Sequence, residues 1–329
     1  MPYNEATYNK KLRSDRIISH NPRPQHMIPD DETFVNNFVA TIPNAGSNTM
    51  FAQIMEIKYN DYVVDTDHLR KLSQLTINSL KESIQGNQPI EIDNTKGQTT
   101  SDSWYEARSL RVTASNAKTV TTTKSKQGQY NLLKRLLWSK KVLDLKALKY
   151  GRDNEDHAFK NFQEGSLTPG HALTKSGFWV NPKYPELGCS PDGLIWDCNK
   201  KLVGVLEIKC PLVLENSGPT DLENLSKNQI NNLCYKIENG ELVLNRTHSY
   251  YFQIQMQIAI CGVDFCDFSI WSPKGMCIER IQRDIGFWNA LFPKLIDFHH
   301  NILVPEYFEQ RIPRRLLPVN LSLDQPSDK

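Results

Sequence analysis

The sequence CSPDGLI at residues 189–195, followed by VLEIKCP at residues 205–211, carries the pattern from which we predict the fold. The largely apolar run over residues 202–208 predicts a buried strand. Because side chains alternate along a strand, Glu207 and Lys209 lie on one face and Ile208 on the other. A buried charge without a partner costs several kcal/mol, so this carboxylate and this ammonium group need partners.

A divalent cation is one partner that accounts for these charges. Asp192, Glu207 and a backbone carbonyl are oxygen ligands of the kind that Mg²⁺ or Mn²⁺ prefers. Lys209 would then orient or help deprotonate an attacking water and offset charge at a phosphate. Turn signals on both sides of residues 194–196 predict a hairpin that brings the two carboxylates together. The simpler alternative is an ordinary salt bridge between Glu207 and Lys209.

The same two short motifs occur a second time near the N terminus. Asp30 follows a proline, and Glu56 and Lys58 repeat the Glu-x-Lys spacing. Here 26 residues separate the two acids, compared with 15 between Asp192 and Glu207. Asp30 lies in a polar stretch without a following strand pattern, so we expect that this second set does not converge.

Composition sets limits on the class of protein. The chain has 329 residues, a net charge of +2, 39% apolar residues and 23% charged residues, which is typical of a soluble globular protein with one or two domains. A near-neutral charge does not exclude a nucleic-acid ligand, because a local basic groove is sufficient. Basic residues cluster over residues 118–149, which indicates either a phosphate-tracking surface or ordinary solvated charges.

Cysteine usage and hydropathy indicate the compartment. The seven cysteines include no C-x-x-C pair, so we do not expect a structural zinc site. Their odd number and the lack of a signal-peptide pattern predict a reducing, intracellular setting, without distinguishing nucleus from cytoplasm. No stretch approaches the length of a transmembrane helix, so we expect no membrane partner.

Five ordered segments resemble the YqaJ-like viral recombinase family, also called λ-exonuclease-like, within the PD-(D/E)XK nuclease superfamily. Two are the stretches quoted above. The other three are SWYEAR with RVTAS in residues 103–115, YGRDNEDHA in residues 150–158, and YYFQIQMQ in residues 250–257. The resemblance covers roughly residues 101–305, which is about two thirds of the chain.

The resemblance implies a restriction-endonuclease-like α/β core with a central mixed β-sheet flanked by helices. It also implies a Mg²⁺-dependent deoxyribonuclease that acts 5′ to 3′ on double-stranded DNA ends in recombination or mobile-element biology. A single-strand annealing protein as partner and a homo-oligomer, specifically a trimer, are implied by resemblance only. Two alternatives stay open: an endonuclease of the same superfamily, and a non-catalytic nucleic-acid-binding protein that keeps the fold.

The resemblance further assigns roles to single residues. Glu155 would support a second metal ion or its water, Gln253 would assist catalysis, and Arg108 and Ser115 would hold a terminal 5′-phosphate. The catalytic set is then Glu155, Asp192, Glu207, Lys209 and Gln253, and its metal ligands are Asp192, Glu207, Ile208 and Glu155. The residues assigned to the substrate are Arg108, Arg111, Ser115, Ser190 and Tyr250.

Helical spacing supports part of this assignment. Arg108 and Ser115 are seven residues apart, so on a helix they would share one face with Arg111 between them. Gln253 lies four residues before Gln257, which predicts one helical face carrying both amides. The structural alternatives are a solvated Glu155, an exposed Arg111 and glutamines that satisfy the core.

We predict three regions along the chain. Residues 1–100 form an N-terminal polar arm followed by a helical extension, residues 101–305 form the nuclease domain, and residues 306–329 form a tail that is frayed after Pro313. A helix near residues 286–302 carries an apolar stripe that we assign to the core.

Overall fold

The computed structural model describes residues 64–84, 86–138 and 145–322. The expectations for Asp30, Glu56 and Lys58, and for the polar arm, fall outside these residues. None of the helices within the described ranges is long and apolar enough to cross a membrane.

Short strands and helices alternate along these ranges. The strands are β1 (Ile90–Glu91), β2 (Val112–Thr113), β3 (Ala172–Lys175), β4 (Trp179–Val180), β5 (Leu187–Cys189), β6 (Gly193–Trp196), β7 (Leu202–Lys209), β8 (Tyr235–Glu238), β9 (Glu241–Leu244), β10 (Phe265–Ser272) and β11 (Gly275–Gln282). The α-helices are α1 (Thr66–Glu82), α2 (Asp102–Arg108), α3 (Ala117–Thr122), α4 (Lys126–Leu133), α5 (Lys146–Gly165), α6 (Lys227–Asn231), α7 (Ser249–Cys261), α8 (Ile285–Phe298) and α9 (Val304–Glu309). Short 3₁₀ and π segments join them, at Gln98–Thr100, Ala114–Asn116, Lys134–Trp138, Leu212–Leu214 and His299–Leu303.

The central sheet is mixed. Within the described residues it has five strands in the order β11-β10-β7-β6-β3, and a smaller sheet has the order β1-β4-β5-β2. β7 and β10 run parallel, whereas β6, β3 and β11 pair with their neighbours antiparallel. The helices α5 and α7 contact β7, so helices flank this sheet. The prediction of an α/β fold with a central mixed sheet flanked by helices is therefore confirmed.

Strand β7 forms the centre of the sheet, as its apolar sequence predicts. Residues 204–208 are buried, and the strand lies between β6 and β10. Gly204 is required here, because a Cβ atom at this position would lie 2.4 Å from the ring of Phe265 on the neighbouring strand. The close approach of these strands fixes the register that places Phe268 opposite Glu207.

Helix α7 is buried on almost every side. Nine of its thirteen residues are buried, so its polar side chains must find partners inside the protein. The helix begins after His248, whose Nδ1 atom accepts a hydrogen bond from the Tyr250 amide at 3.2 Å. It ends at Gly262, which adopts the left-handed conformation (φ 69°) that glycine favours as a helix cap.

The C-terminal segment packs against the first helix. Val319 and Leu321 are buried in one cluster with Leu69 of α1, and the Leu321 amide donates to the Asn301 carbonyl at 3.0 Å. The prediction of a frayed tail after Pro313 is therefore wrong as far as residue 322. The largely polar composition after Pro313 predicts a loose tail, but two apolar residues, Val319 and Leu321, are sufficient to anchor it.

The predicted helix near residues 286–302 is present. It consists of α8 and the π-helical turn His299–Leu303, and its apolar stripe lies in the core as predicted. Helix α9 follows directly and places Glu306 in the interior, where its side chain is fully buried. Glu306 Oε1 accepts hydrogen bonds from Trp138 Nε1 at 3.1 Å and from the Ile312 amide at 2.9 Å.

We predict that Glu306 makes the stability of the fold depend on pH. Burial raises the pKa of Glu306 from an ordinary value of 4.5 to about 7, so the folded protein prefers the protonated acid. The stability that this preference gives is fully present below pH 4.5, falls between pH 4.5 and 7, and is lost above pH 7. A shift of this size corresponds to about 3 kcal/mol.

The measurement is urea unfolding of the wild type and Glu306→Gln at pH 5 and pH 8. Glutamine keeps the acceptor oxygen but does not ionise, so we expect the variant to gain stability relative to the wild type as the pH rises. Glu164→Gln, at an exposed position on α5, is the matched control. A difference between wild type and Glu306→Gln that is the same at both pH values would contradict the prediction.

Candidate active site

The β6–β7 hairpin positions the two carboxylates that the sequence pairs. Gly193 at the start of β6 lies opposite Leu206 of β7. One residue earlier, the Asp192 amide donates to the Leu206 carbonyl at 3.0 Å, and Asp192 Oδ2 accepts a hydrogen bond from the Ile208 amide at 2.6 Å. The predicted hairpin is therefore present, and it holds the Asp192 carboxylate beside the end of β7 that carries Glu207.

The Glu207 carboxylate is the most enclosed charge of the site, with only 1% of its surface exposed. Gln253 Nε2 donates to its Oε1 atom and Gln257 Nε2 donates to its Oε2 atom, each at 2.6 Å. Lys209 forms an ion pair with Oε1, which confirms that the two residues share one face of β7. Three donors thus compensate for the loss of water around this carboxylate.

The sequence pattern identifies Gln257 only as a neighbour of Gln253 and does not assign it to the site. The signal that could have found it is the four-residue spacing of two amides on an otherwise apolar helix. The structure shows that this spacing lets α7 contact both oxygens of Glu207. Gln257 Oε1 is buried and has no hydrogen-bond partner among the described residues.

The site carries an excess of negative charge. Burial raises the pKa of Asp192 well above its ordinary value, and the nearby Glu207 raises it further. Burial alone would lower the pKa of Lys209, but Glu207 and Asp192 outweigh it and raise that pKa. Among the described residues, the Lys209 ammonium is the cation that acts on Asp192, whereas Glu207 and Glu155 both act on it in the unfavourable sense. A cation bound between Asp192 and Glu207 would relieve this repulsion.

Glu155 lies at the rim of the site, on α5, with 38% of its side chain exposed. Its Oε1 atom is 3.7 Å from the Nζ atom of Lys175, which also lies 2.9 Å from Asp156. Lys175 ends β3 and pairs with Gly193, the first residue of β6, which directly follows Asp192. No local sequence pattern indicates Lys175, because its proximity arises only from the pairing of β3 with β6.

The donor atoms fit a hard divalent cation that keeps several of its waters. Within the described ranges, no group of three or more His, Cys, Asp or Glu side chains is arranged to hold a metal ion. Asp192 and Glu207 supply two carboxylates. The Ile208 carbonyl lies on the strand edge that faces β6, because alternate residues of a strand turn their backbone groups to the same side. Mg²⁺ typically takes one or two carboxylates and completes its shell with water and phosphate oxygens.

Contacts through Trp104 and Ser190 connect Arg108 to the candidate metal site. Trp104 Nε1 donates to Ser190 Oγ at 2.9 Å, two residues before Asp192, and the Arg108 guanidinium lies 3.9 Å from the centre of the Trp104 ring. Burial lowers the pKa of Arg108 to about 10. In the part of the chain that the structure describes, its guanidinium has neither a hydrogen-bond acceptor nor a carboxylate partner. A desolvated cation without an anion is a suitable receptor for a phosphate.

The predicted helical face shared by Arg108 and Ser115 is wrong. Helix α2 ends at Arg108, Leu110 adopts a left-handed conformation (φ 56°), and β2 follows. Ser115 instead lies in the 3₁₀ turn Ala114–Asn116, where its exposed hydroxyl is 3.3 Å from that of Thr113. This turn packs against α7, so Ser115 approaches the site from a different element than Arg108.

The Arg111 guanidinium is held by hydrogen bonds to the protein itself. Its Nε atom donates to the Pro185 carbonyl at 3.0 Å, and its two terminal nitrogens donate to the Ala107 carbonyl at 2.7 Å and to Ser83 Oγ at 3.4 Å. The guanidinium therefore joins three segments of the chain. These contacts leave it less suited than Arg108 to bind a phosphate.

Tyr250 completes the surroundings of Lys209. The Lys209 ammonium lies 4.9 Å from the centre of the Tyr250 ring, which stacks in a tilted arrangement on His248. Burial raises the pKa of the Tyr250 hydroxyl. The ammonium is thus fixed between an aromatic face and the Glu207 carboxylate.

Comparison with known proteins gives one family and several structures. Residues 103–264 match the family described as the YqaJ-like viral recombinase domain, and no curated protein matches the chain. An alkaline exonuclease from Laribacter hongkongensis is 23% identical, with 65% of this chain and 96% of that one covered and a TM-score of 0.45. A phage-related exonuclease from Haemophilus somnus 129PT is 15% identical (62% and 96% covered, TM-score 0.40). The Shutoff and Exonuclease Protein of Kaposi's sarcoma-associated herpesvirus is 14% identical (67% and 71% covered, TM-score 0.40).

Proposed function

Residues 103–264 belong to the YqaJ-like viral recombinase family, and on this premise we propose that the chain is a divalent-metal-dependent deoxyribonuclease that degrades double-stranded DNA from its ends. The observation that carries the proposal is the convergence of Asp192 and Glu207 with Lys209 at the end of β7. A protein that only bound nucleic acid would not need two carboxylates, one of them fully buried, at the point where a phosphate would approach.

Each residue of the site would have a separate task. Asp192, Glu207 and the Ile208 carbonyl would hold Mg²⁺ or Mn²⁺, which when bound supplies Lewis-acid stabilisation of the phosphate and a more acidic water. The Lys209 ammonium, held by Glu207 and the Tyr250 ring, would orient the attacking water and offset charge on the phosphate oxygens. Gln253 and Gln257 fix the orientation of the Glu207 carboxylate through α7.

Glu155 would act at the rim, toward a second metal ion or its water, once its contact with Lys175 is exchanged. Ser190 and Tyr250 would lie along the path of the substrate. Ser190 accepts the hydrogen bond of the Trp104 indole N–H, and the ring of Tyr250 covers Lys209. A single-strand annealing partner and a trimeric assembly remain proposals that rest on the family resemblance.

The preference for DNA ends would come from Arg108. Its guanidinium lies on the Trp104 ring, is desolvated, and has no anionic partner among the described residues, which supports binding of a terminal 5′-phosphate. Ser115 would add a hydroxyl donor from the 3₁₀ turn that packs on α7. A 5′-phosphate held here would set the 5′-to-3′ direction of degradation.

We predict that Glu207→Ala and Lys209→Ala each lower the rate of DNA cleavage by about 10²–10³-fold or more, because each removes an electrostatic contribution to the transition state. The measurement is release of nucleotides from end-labelled linear duplex with Mg²⁺. DNA binding, measured separately by fluorescence anisotropy, should change little.

Glu164→Ala and Lys160→Ala are matched controls, since these residues form an exposed ion pair on α5. Both controls should cleave at the wild-type rate. Near-wild-type turnover in Glu207→Ala or Lys209→Ala would rule out the proposed site.

We predict that Arg108→Ala reduces the preference for a 5′-phosphorylated end over a 5′-hydroxyl end by about tenfold or more, because a charged hydrogen bond to a phosphate contributes ~1.5–3 kcal/mol. Cleavage of the 5′-hydroxyl duplex should persist. The assay compares linear duplexes that differ only in this phosphate.

Arg70→Ala, at a surface ion pair on α1, is the control for loss of one arginine. If the wild type shows no preference and also cuts closed circular duplex, the endonuclease alternative replaces the exonuclease proposal. If the wild type prefers the phosphate and Arg108→Ala keeps that preference, Arg108 is misassigned.

A further inference from the structure

A cavity opens where the four-stranded sheet meets the start of β7. Its volume is about 540 Å³, which is within the range of small-molecule sites. Leu202, the first residue of β7, lines this cavity, whereas Lys209 at the other end of the strand belongs to the candidate metal site. The two ends of a strand of this length are about 23 Å apart. The cavity is thus a separate place on the molecule, joined to the metal site through β7 and α7.

Among the described residues, three cations and no carboxylate line the cavity. The cations are Lys183, Lys201 and Arg283, and none of them forms an ion pair with any residue that the structure describes. Three acids lie near these cations in the chain, Asp197, Asp264 and Asp284, and none of them forms an ion pair with Lys201 or Arg283 among the described residues. Asp197 accepts two backbone amides of the β6–β7 turn, and Asp284 accepts the Tyr251 hydroxyl and a backbone amide of α8. The three ammonium and guanidinium groups are therefore free of ion pairs with the described residues, which favours an anion.

The walls of the same cavity are aromatic and fixed in place. Trp196 is oriented by a hydrogen bond from its Nε1 atom to Thr174 Oγ1 at 2.9 Å. Tyr184 packs edge-on against Trp288 at 5.5 Å between ring centres, and likewise against Phe292 at 5.0 Å. Fixed aromatic faces beside cations are the combination that recognises a base together with its phosphate.

Polar groups for reading a base edge are present as well. Asn87 and Gln88 line the rim with side-chain amides, and Trp179 lies in the wall with a buried indole N–H that has no acceptor among the described residues. Asn181, in contrast, is engaged, since its amide donates to the Ala259 and Ile260 carbonyls near the end of α7. Amide groups can both donate to and accept from a nucleobase.

We propose that this cavity binds a nucleotide unit, with the base against Trp196 and Tyr184 and the phosphate between Lys201 and Arg283. The nucleotide unit has two sources, a free mononucleotide or one residue of a single DNA strand. The proposal goes beyond the nuclease activity, because it needs neither the metal site nor cleavage.

The experiment measures binding in EDTA, so its result does not depend on whether the chain cuts DNA. The probes are dAMP, followed by isothermal titration calorimetry, and a fluorescein-labelled ten-nucleotide poly-dT strand, followed by fluorescence anisotropy. The test protein is the double variant Lys201→Glu with Arg283→Glu, in which both changed residues are exposed. The control is Lys71→Glu with Lys160→Glu, which changes the net charge equally at exposed positions on α1 and α5.

We expect the cavity variant to weaken binding by at least about tenfold, while the control stays within about twofold of the wild type. Loss with both probes assigns the cavity to a free nucleotide, and loss with the strand alone assigns it to single-stranded DNA. The proposal is overturned if neither probe binds the wild type, if both double variants weaken binding equally, or if Arg108→Ala removes binding that the cavity variant leaves intact.

Discussion

The buried carboxylate of Glu207 is the constraint on which the arrangement of the site depends. A charge with 1% exposure in the central strand is tolerated only when several donors surround it. Lys209 supplies one donor from the same strand, and Gln253 and Gln257 supply two more from α7. The need to satisfy this one group therefore fixes how α7 packs on the sheet.

Helix α7 and strand β7 both extend from the candidate metal site to the cavity lined by aromatic and basic residues. α7 begins beside Lys209 with Tyr250 and ends at Gly262, in the wall of the aromatic and basic cavity. β7 runs between the same two places. A ligand in the cavity and a phosphate at the metal site would thus contact the ends of the same two elements, although each site has its own binding residues.

Sequence patterns predicted the parts of the site that are local. The alternation in β7 placed Glu207 and Lys209 together, and turn residues placed Asp192 beside them. The helix predicted through Ser115 is interrupted because Leu110 takes a left-handed conformation. Glycine and asparagine are the residues that usually indicate this conformation in a sequence, and neither stands at this position. Lys175 beside Glu155 comes from pairing between distant strands, so no local pattern contains it. The cavity is lined by residues from position 87 to position 283, so no local sequence pattern predicts it either.

The most direct test of the account is a calorimetric titration of Mn²⁺ into the wild type and Asp192→Asn. Asparagine keeps an oxygen that can accept the Ile208 amide, so the hairpin should persist while the charge is lost. Asp153→Asn, at an exposed ion pair on α5, is the matched control. We predict one or two Mn²⁺ ions bound per chain in the wild type and the control, and an affinity at least about tenfold weaker in Asp192→Asn. Equal Mn²⁺ affinity in all three proteins, or no binding by the wild type, would contradict a metal site between Asp192 and Glu207.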